Sequence, residues 1–133
     1  MKNSFVSKTV AVMLLALALI VPAQVTAKDI SQAQLQQIMQ SEQQVILLDV
    51  RTVDEFVAGH IPNAVNIPHK ELAARLAELS GAKNSQIVIY CRSGRRAEVA
   101  KQVLVINGFA QLDHLTGDFN EWTSSGLPIS TGN

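Results

Sequence analysis

Short apolar runs alternate along the chain with amphipathic stretches. Residues 45–48 (Val-Ile-Leu-Leu) and 87–90 (Ile-Val-Ile-Tyr) are continuous apolar runs, which are typical of strands buried on both faces of a sheet. Shorter strands are predicted at 64–67, where Pro68 ends the run, and at 111–115. Because strands that alternate with helices form parallel sheets covered on both faces, the predicted fold class is α/β.

Helices are predicted between these strands. Ser31 with Gln34, and Thr52 with Glu55, have the spacing of capping boxes, so a helix is expected after each pair. The first two are an amphipathic segment after Ser31 and a short helix over 53–58 that Gly59 closes. A helix over 70–79 is expected to present Leu72, Leu76 and Leu79 on one face and to end at Gly81. A helix over 97–107, closed by Gly108, is expected to turn Val99, Val103 and Ile106 towards the core, and a final short helix is expected over 118–123.

The N-terminus has the pattern of a secretory signal peptide. Lys2 and Lys8 precede an uninterrupted apolar run over 10–21, and Val-Thr-Ala at 25–27 is a small-residue cleavage site. The apolar run is too short to span a bilayer comfortably, which disfavours the alternative of an uncleaved anchor. We therefore predict a cleaved signal peptide over 1–27, a single domain over 28–133 and a periplasmic location.

Charge and cysteine content narrow the partners of the predicted domain. Residues 28–133 carry nine Lys or Arg and 11 Asp or Glu, so no basic surface is expected for nucleic acid or for a membrane. One cysteine cannot form an internal disulfide. His69 and His114 lack metal-ligand spacing with each other and with Cys91. Small-molecule partners, no metal or other cofactor, and a monomer are expected.

The candidate chemistry lies in the segment after the run over 87–90. Cys91 follows this run directly, and Arg92, Ser93, Gly94, Arg95 and Arg96 separate it from the next helix. A strand, a tight loop and a helix start direct backbone N–H groups and the positive end of a helix dipole into one small concavity. A sulfur in such a place is expected as a thiolate near neutral pH. Cys91 is therefore a candidate nucleophile, and the alternative is a buried structural cysteine.

Several motifs together resemble the rhodanese family. These are Leu-Asp-Val-Arg at 48–51, Glu-Phe at 55–56, Gly-His-Ile-Pro at 59–62, Ala-Val-Asn-Ile-Pro at 64–68, Cys-Arg-Ser-Gly-Arg-Arg-Ala at 91–97, Asn-Gly-Phe at 107–109, Leu-Thr-Gly at 115–117, and Trp122. They cover nearly all of residues 28–133, and with the leader they resemble the exported single-domain rhodaneses of Gram-negative bacteria. Asn63 and Asp118 depart from the family, which often has glycine there, and neither is expected to touch the cysteine loop.

The resemblance implies a single rhodanese-like domain, with a small parallel sheet and helices on both faces, that acts as a thiosulfate sulfurtransferase. The Cys91 thiolate would take the outer sulfur of thiosulfate, sulfite would leave, and cyanide or a thiol would accept the sulfur from the Cys91 persulfide. The N–H groups of residues 92–96 are expected to face the sulfur, Ser93 and Gly94 to allow the tight turn, and Arg92, Arg95 and Arg96 to hold the anionic donor.

Other polar residues of the motifs are expected to support the site. Asp49 is expected to accept hydrogen bonds from a neighbouring loop, and Arg51 to pair with Glu55 four residues later. His60 is a formal candidate for a general base, but a structural role is favoured because a thiolate activated by its loop needs no base. Phe119 and Trp122 are expected to pack under the last helix.

Loop length separates the leading hypothesis from one competitor. Four residues lie between Cys91 and Arg96, whereas cysteine phosphatases have five before their arginine, and Ala97 occupies that place here. This disfavours a phosphatase. The main alternative is a sulfur carrier that serves a protein partner through the same cysteine. A non-catalytic interaction domain is disfavoured because Cys91 is present, and a redox or arsenate-reductase role because no second cysteine exists to resolve an intermediate.

Overall fold

The computed structural model describes residues 24–133, so most of the predicted signal peptide lies outside the described residues. The chain alternates strands and helices. In order, these are β1 (Thr26–Ile30), α1 (Gln32–Gln40), β2 (Val45–Asp49), α2 (Val53–Ala58), β3 (Val65–Asn66), two 3₁₀ helices (Leu72–Ala74 and Leu76–Ala82), β4 (Gln86–Tyr90), α3 (Arg95–Ile106), β5 (Gln111–Leu115) and α4 (Asp118–Ser124).

The strands form one parallel sheet in the order β1-β5-β4-β2-β3. The central strand β4 pairs with β2 on one side and with β5 on the other, and Asp49 is the register partner of Tyr90. The predicted α/β class and the parallel sheet are confirmed. This order places the carboxyl ends of β2, β4 and β5 side by side at one edge, where ligands bind in such sheets.

Both faces of the sheet are covered by apolar side chains. Along β4, Ile87 and Ile89 face a core that α3 and the 3₁₀ helices cover, whereas Val88 and Tyr90 face a second core that includes Leu35 of α1. This alternation follows from the two-residue period of a strand. It explains why β4 reads in sequence as a continuous apolar run.

The capping boxes predicted before α1 and α2 are both present. The Ser31 hydroxyl accepts the N–H of Gln34 while the Gln34 side chain accepts the N–H of Ser31, and Thr52 and Glu55 repeat the arrangement. Each box satisfies two backbone N–H groups that a helix start otherwise leaves unpaired. The start of α2 matters for the site, because Glu55 also reaches the cysteine loop.

The helix predicted over 70–79 is wrong in type. Two 3₁₀ helices stand there, separated at Arg75, and Gly81 lies inside the second helix instead of ending it. Leu72 and Leu79 are buried in the core, and this packing outweighs the intrinsic α-helical preference of the segment. The Arg75 guanidinium, at the break between the two helices, binds the exposed side chains of Glu71 and Glu78.

The predicted core face of α3 is wrong for Val99 and Ile106 and confirmed in part for Val103, which packs against the core. Val99 is 45% exposed and Ile106 is 83% exposed, and Val103 only packs at the edge of the core. The buried residues of α3 are Ala97, Ala100 and Leu104. Both sets have helical spacing, and the smaller alanines allow the helix to lie close to the sheet. The inner face of α3 is therefore formed by Ala97, Ala100 and Leu104, and Val103 lies at its border.

The first strand overlaps the predicted cleavage site. Thr26 and Ala27 pair with Gln111 and Leu112 of β5, and the next three residues of β1 continue the ladder. Cleavage after Ala27 would leave the last three residues of β1 paired. Among residues 24–133, no helix is both long and apolar enough to cross a bilayer.

Candidate functional site: the cysteine loop

Cys91 follows the carboxyl end of β4 directly. Its side chain is buried at the edge of the core beneath α3, and it is the free cysteine of the chain. The chain then turns through Gly94, which has a φ of +113° and so adopts a conformation that side chains rarely allow. Helix α3 begins at the next residue, Arg95. The predicted order of strand, tight loop and helix is confirmed.

The loop directs a backbone donor at the sulfur. The N–H of Gly94 lies 3.0 Å from the Sγ atom of Cys91 and donates to it. This is one of the five N–H groups predicted to face the sulfur. A backbone donor at this distance gives an anionic sulfur a hydrogen-bond partner that needs no reorganisation when the charge forms. The arrangement suits a thiolate and also a terminal persulfide anion.

Asp118 lies directly behind the loop, so the prediction that it does not touch the loop is wrong. Its Oδ1 atom accepts the N–H of Cys91 at 2.8 Å, and its side chain is almost fully buried. The N–H groups of Phe119 and Asn120 donate to the carbonyls of Cys91 and Arg92. Gly117 and Asp118 both have positive φ, which turns the chain from β5 back under the loop. The other departure, Asn63, also has positive φ and is exposed.

Asp49 and Arg51 form a buried ion pair at the end of β2. Arg51 donates from Nε and Nη2 to the Asp49 carboxylate, with the shortest distance 2.6 Å, and Nη2 also donates to the carbonyl of Gly59. The backbone N–H of Arg51 donates to Asp49 as well, so these donors come from the segment that directly follows β2 and not, as was predicted, from a neighbouring loop. The Arg51 guanidinium lies 3.9 Å from the Phe119 ring centroid, so it links β2 to α4 beneath the loop.

Glu55 pairs with Arg96 of the cysteine loop, and the predicted Arg51–Glu55 pair is wrong. The two nitrogens of Arg96 donate to the two oxygens of Glu55 at 2.6 and 2.9 Å. The hydrogen bonds from Arg96, reinforced by those from Thr52, lower the pKa of Glu55 to about 2. Arg51 is instead held by Asp49, which stands closer on the same buried edge. Arg96 is thereby fixed at the start of α3.

A cavity of about 440 Å³ opens above the sulfur. Arg95, Arg96 and Val99 line it, together with Ser93 and His69. Arg92 lies elsewhere: it lines a separate cavity of about 320 Å³ with Arg51 and Phe119. The three predicted arginines therefore divide between two cavities. Within residues 24–133, neither Arg92 nor Arg95 forms an ion pair.

The structure brings His69, and not His60, to the cavity above Cys91. His69 lines the Cys91 cavity, and the signal for it was its position just after β3, at the same carboxyl edge as the cysteine. His60 instead stacks on Phe56 with ring centroids 3.7 Å apart, and its Nδ1 lies 2.8 Å from the Phe56 carbonyl. Its main chain pairs with Ser130. These contacts fit the structural role favoured for His60.

The fold and the loop together define a class of small parallel α/β domains that carry one cysteine in the loop between a strand and the following helix. The chain belongs to the rhodanese family, since the model of the rhodanese-like domain matches residues 31–125. Among the described residues, no group of three or more His, Cys, Asp or Glu side chains is arranged to hold a metal ion.

Curated relatives and solved structures are consistent with this family. The chain is 35% identical over 101 residues to a sulfurtransferase of Allochromatium vinosum, with 76% of this chain and 92% of that protein covered. It is 35% identical over 95 residues to YrkF of Bacillus subtilis, which is named as a candidate sulfur carrier, with 71% of this chain and 50% of that protein covered. A rhodanese-related protein of Thermoplasma volcanium has a similar structure, with a TM-score of 0.67 and 26% identity, and the match covers 77% of this chain and 97% of that one. The chain spans only 32% to 50% of YrkF and of several other curated relatives.

Proposed function

We propose that the protein is a thiosulfate sulfurtransferase that works through a Cys91 persulfide. The observation that carries the proposal is the hydrogen bond from the Gly94 N–H to the Cys91 sulfur, at the base of a cavity lined by Arg95. The loop offers a donor to an anionic sulfur, and the arginine offers a cation to an oxyanion. Both are needed for a nucleophile that must attack a dianion.

The first half-reaction transfers the outer sulfur of thiosulfate. The Cys91 thiolate attacks that sulfur, the new bond joins it to Sγ, and the bond to the sulfonate sulfur breaks. The electron pair of the broken bond leaves with sulfite, so no external oxidant or reductant is required. The persulfide keeps one negative charge, which the Gly94 N–H is placed to accept. Arg95 and Arg96 stand on the cavity wall where the departing sulfite would pass.

In the second half-reaction an acceptor removes the terminal sulfur. Cyanide would leave as thiocyanate and a thiolate would leave as a persulfide, and each regenerates the Cys91 thiolate. Since the enzyme alternates between two covalent states, ping-pong kinetics are expected. Cyanide and small thiols both fit a cavity of about 440 Å³.

Intact mass of the purified protein tests this function. Incubation with thiosulfate should add one sulfur atom, about 32 Da, and cyanide should remove it. The Cys91→Ala variant should gain nothing. If reduced and folded protein shows no adduct, the thiosulfate reaction is rejected.

A sulfur carrier is the second candidate. The relation to YrkF favours it, because that relative is named as a candidate sulfur carrier. A carrier would form the same persulfide but turn over slowly with small acceptors. The ratio kcat/KM for cyanide therefore separates the two candidates, and a low value with a normal persulfide yield favours the carrier.

We further propose export to the periplasm, on the evidence of the basic and apolar pattern of the leader. N-terminal sequencing of the protein recovered from a periplasmic fraction tests this. A start at Lys28 would support cleavage after Ala27, whereas protein that stays in the cytoplasm with its leader would contradict export. We also propose that the domain acts as a monomer, and its mass in solution by light scattering tests that state.

A further inference from the structure

A chain of hydrogen bonds runs from the back of the cysteine loop to His114, near the carboxyl end of β5. The Nε2 atom of His114 lies 3.1 and 3.0 Å from the two carboxylate oxygens of Asp118, and Asp118 in turn accepts the N–H of Cys91 at 2.8 Å. Asp118 is 2% exposed and has a φ of +52°, a conformation that non-glycine residues seldom adopt. Strained, buried polar residues of this kind occur at functional sites.

The same carboxylate supports the residue that binds the sulfur. A Cβ atom built on Gly94 would lie 3.2 Å from Oδ2 of Asp118 and 3.4 Å from Cε1 of His114. Asp118 and His114 therefore lie against the back of Gly94, whose N–H donates to Sγ of Cys91. The pair touches both ends of the turn, at Cys91 and at Gly94. Neither residue lines the cavity above the sulfur.

We propose that Asp118 is a positioning residue for Cys91, and that the charge of His114 controls how readily the Cys91 thiol ionises. The catalytic meaning of this inference rests on the proposed function, because positioning matters only if Cys91 is the nucleophile. The inference concerns residues behind the loop, whereas the proposed function concerns those in front of it.

The expected effect on Cys91 follows from the opposite charges of Asp118 and a protonated His114. The carboxylate of Asp118 behind the loop repels a thiolate in front of it, because its burial limits screening by solvent. A protonated His114 offsets that repulsion. Its pKa is raised, first by the hydrogen bond to Asp118 and further by the charges of Asp118 and the exposed Asp29. Loss of the His114 proton should therefore disfavour the thiolate.

Charged groups from three elements surround His114. Asp29 is its register partner on β1, with Oδ1 3.8 Å from Nδ1, and Asp118 stands at the start of α4. Helix α3 contributes Lys101, which opposes protonation of His114, and Glu98, which interacts with it and binds Lys101 at 2.7 Å. Because Glu98 and Lys101 pair with each other, Asp118 and Asp29 are the dominant partners.

The test is the pH profile of Cys91 alkylation by iodoacetamide in the full domain. Asp118→Asn removes the negative charge and keeps an oxygen for the Cys91 N–H, so the midpoint should fall by about half a pH unit or more. His114→Gln keeps a donor for Asp118 but removes the positive charge, so the midpoint should rise by about the same amount. Asp113→Asn is the matched control, since Asp113 is on the same strand and binds Gln86 on the other face.

Opposite shifts in the two variants, with little change in the control, would support the proposal. Shifts in the same direction, or none beyond that of the control, would overturn it. A pair with a purely structural role would not shift the alkylation midpoint in opposite directions according to which charge is removed. If Asp118→Asn does not fold, Asp118→Gly removes the same charge at a residue whose φ suits glycine, and its midpoint should also fall.

Kinetics of persulfide formation give a second readout. In His114→Gln, the rate of persulfide formation at about pH 6 should fall several-fold, while the thiosulfate concentration for half-maximal rate stays within about twofold. Alkylation needs no thiosulfate. If the two variants show the opposite midpoint shifts but no persulfide forms, only the proposed function is rejected. If a persulfide forms but the shifts are missing, only this inference is rejected.

Discussion

The guanidinium of Arg96 binds the carboxylate of Glu55, 41 residues earlier in the sequence, with nitrogen–oxygen distances of 2.6 and 2.9 Å. Glu55 also caps α2 by accepting the N–H of Thr52. One carboxylate therefore fixes both the start of α2 and the start of α3, the helix that follows the cysteine loop. The pair is only partly exposed, so solvent screens it less than a surface ion pair.

Glu55→Gln should weaken this link without removing the helix cap, since glutamine also serves in capping boxes. We expect a loss of about 1 kcal/mol in the free energy of unfolding. The KM for thiosulfate should change by several-fold with little change in kcat, because Arg96 on the cavity wall is no longer held. Urea unfolding and steady-state kinetics measure both effects. Glu71→Gln is the control, as it weakens an exposed pair with Arg75 far from the loop. Equal kinetic effects in the two variants would contradict the role of Glu55.

The same pair should give the stability a dependence on acid pH. The pKa of Glu55 is lowered from 4.5 to about 2, so its contribution is complete above about pH 4.5 and is lost as the pH falls towards 2. The difference in unfolding free energy between the wild-type protein and Glu55→Gln should shrink by more than half between about pH 6 and about pH 3. Urea titrations at the two pH values check this. A difference that stays constant would show that the pair does not stabilise the fold.

The sheet could be predicted from sequence because its strands are continuous apolar runs bounded by turn residues. Residues 45–48 and 87–90 could hardly be placed elsewhere than in a buried parallel sheet, and the capping boxes at Ser31 and Thr52 marked two helix starts. The position of Cys91 at the carboxyl end of β4 followed from the same pattern. These features depend on local sequence, which is why they could be predicted from it.

The partners within the site could not be predicted in the same way. Arg51 and Glu55 have helix-pair spacing, yet Arg51 binds Asp49 and Glu55 binds Arg96, because the pairing depends on how β2, α2 and the cysteine loop meet in space. Asp118 reaches Cys91 because β5 is the neighbour of β4. Strand order is a long-range property, and no spacing along the chain reports it.

The buried pair of Asp49 and Arg51 should be important for stability. Asp49→Ala would leave the Arg51 charge buried without its partner, so we expect a loss of about 3–5 kcal/mol. Glu78→Ala, which removes an exposed partner of Arg75, should change the free energy of unfolding far less, because solvent screens that pair. Chemical denaturation of the two variants compares the effects. Similar losses in both would show that burial adds nothing to the Asp49–Arg51 pair.

The orientation of α3 predicts contrasting effects of two substitutions on the same helix. Leu104→Ala removes a fully buried side chain and should cost about 2–5 kcal/mol. Ile106→Ala removes a side chain that is almost fully exposed and should change the free energy of unfolding by less than about 0.5 kcal/mol. Thermal or urea unfolding decides between them. A larger effect at Ile106 would restore the core face predicted from the apolar stripe.

Gly94 should be sensitive to substitution, because it has a positive φ and lies against Asp118 and His114. Gly94→Ala places a Cβ atom 3.2 Å from the Asp118 carboxylate at a φ of +113°, so we expect a loss of about 1–3 kcal/mol in stability. The rate of persulfide formation should fall about tenfold or more, because the turn must shift and take the Gly94 N–H away from Sγ. Gly81→Ala is the matched control: its Cβ would meet nothing within 4 Å and its φ is ordinary, so stability should change by less than about 0.5 kcal/mol. Stopped-flow mass analysis and urea unfolding measure the two quantities. A Gly94→Ala variant that forms the persulfide at the wild-type rate would show that the sulfur does not depend on this hydrogen bond.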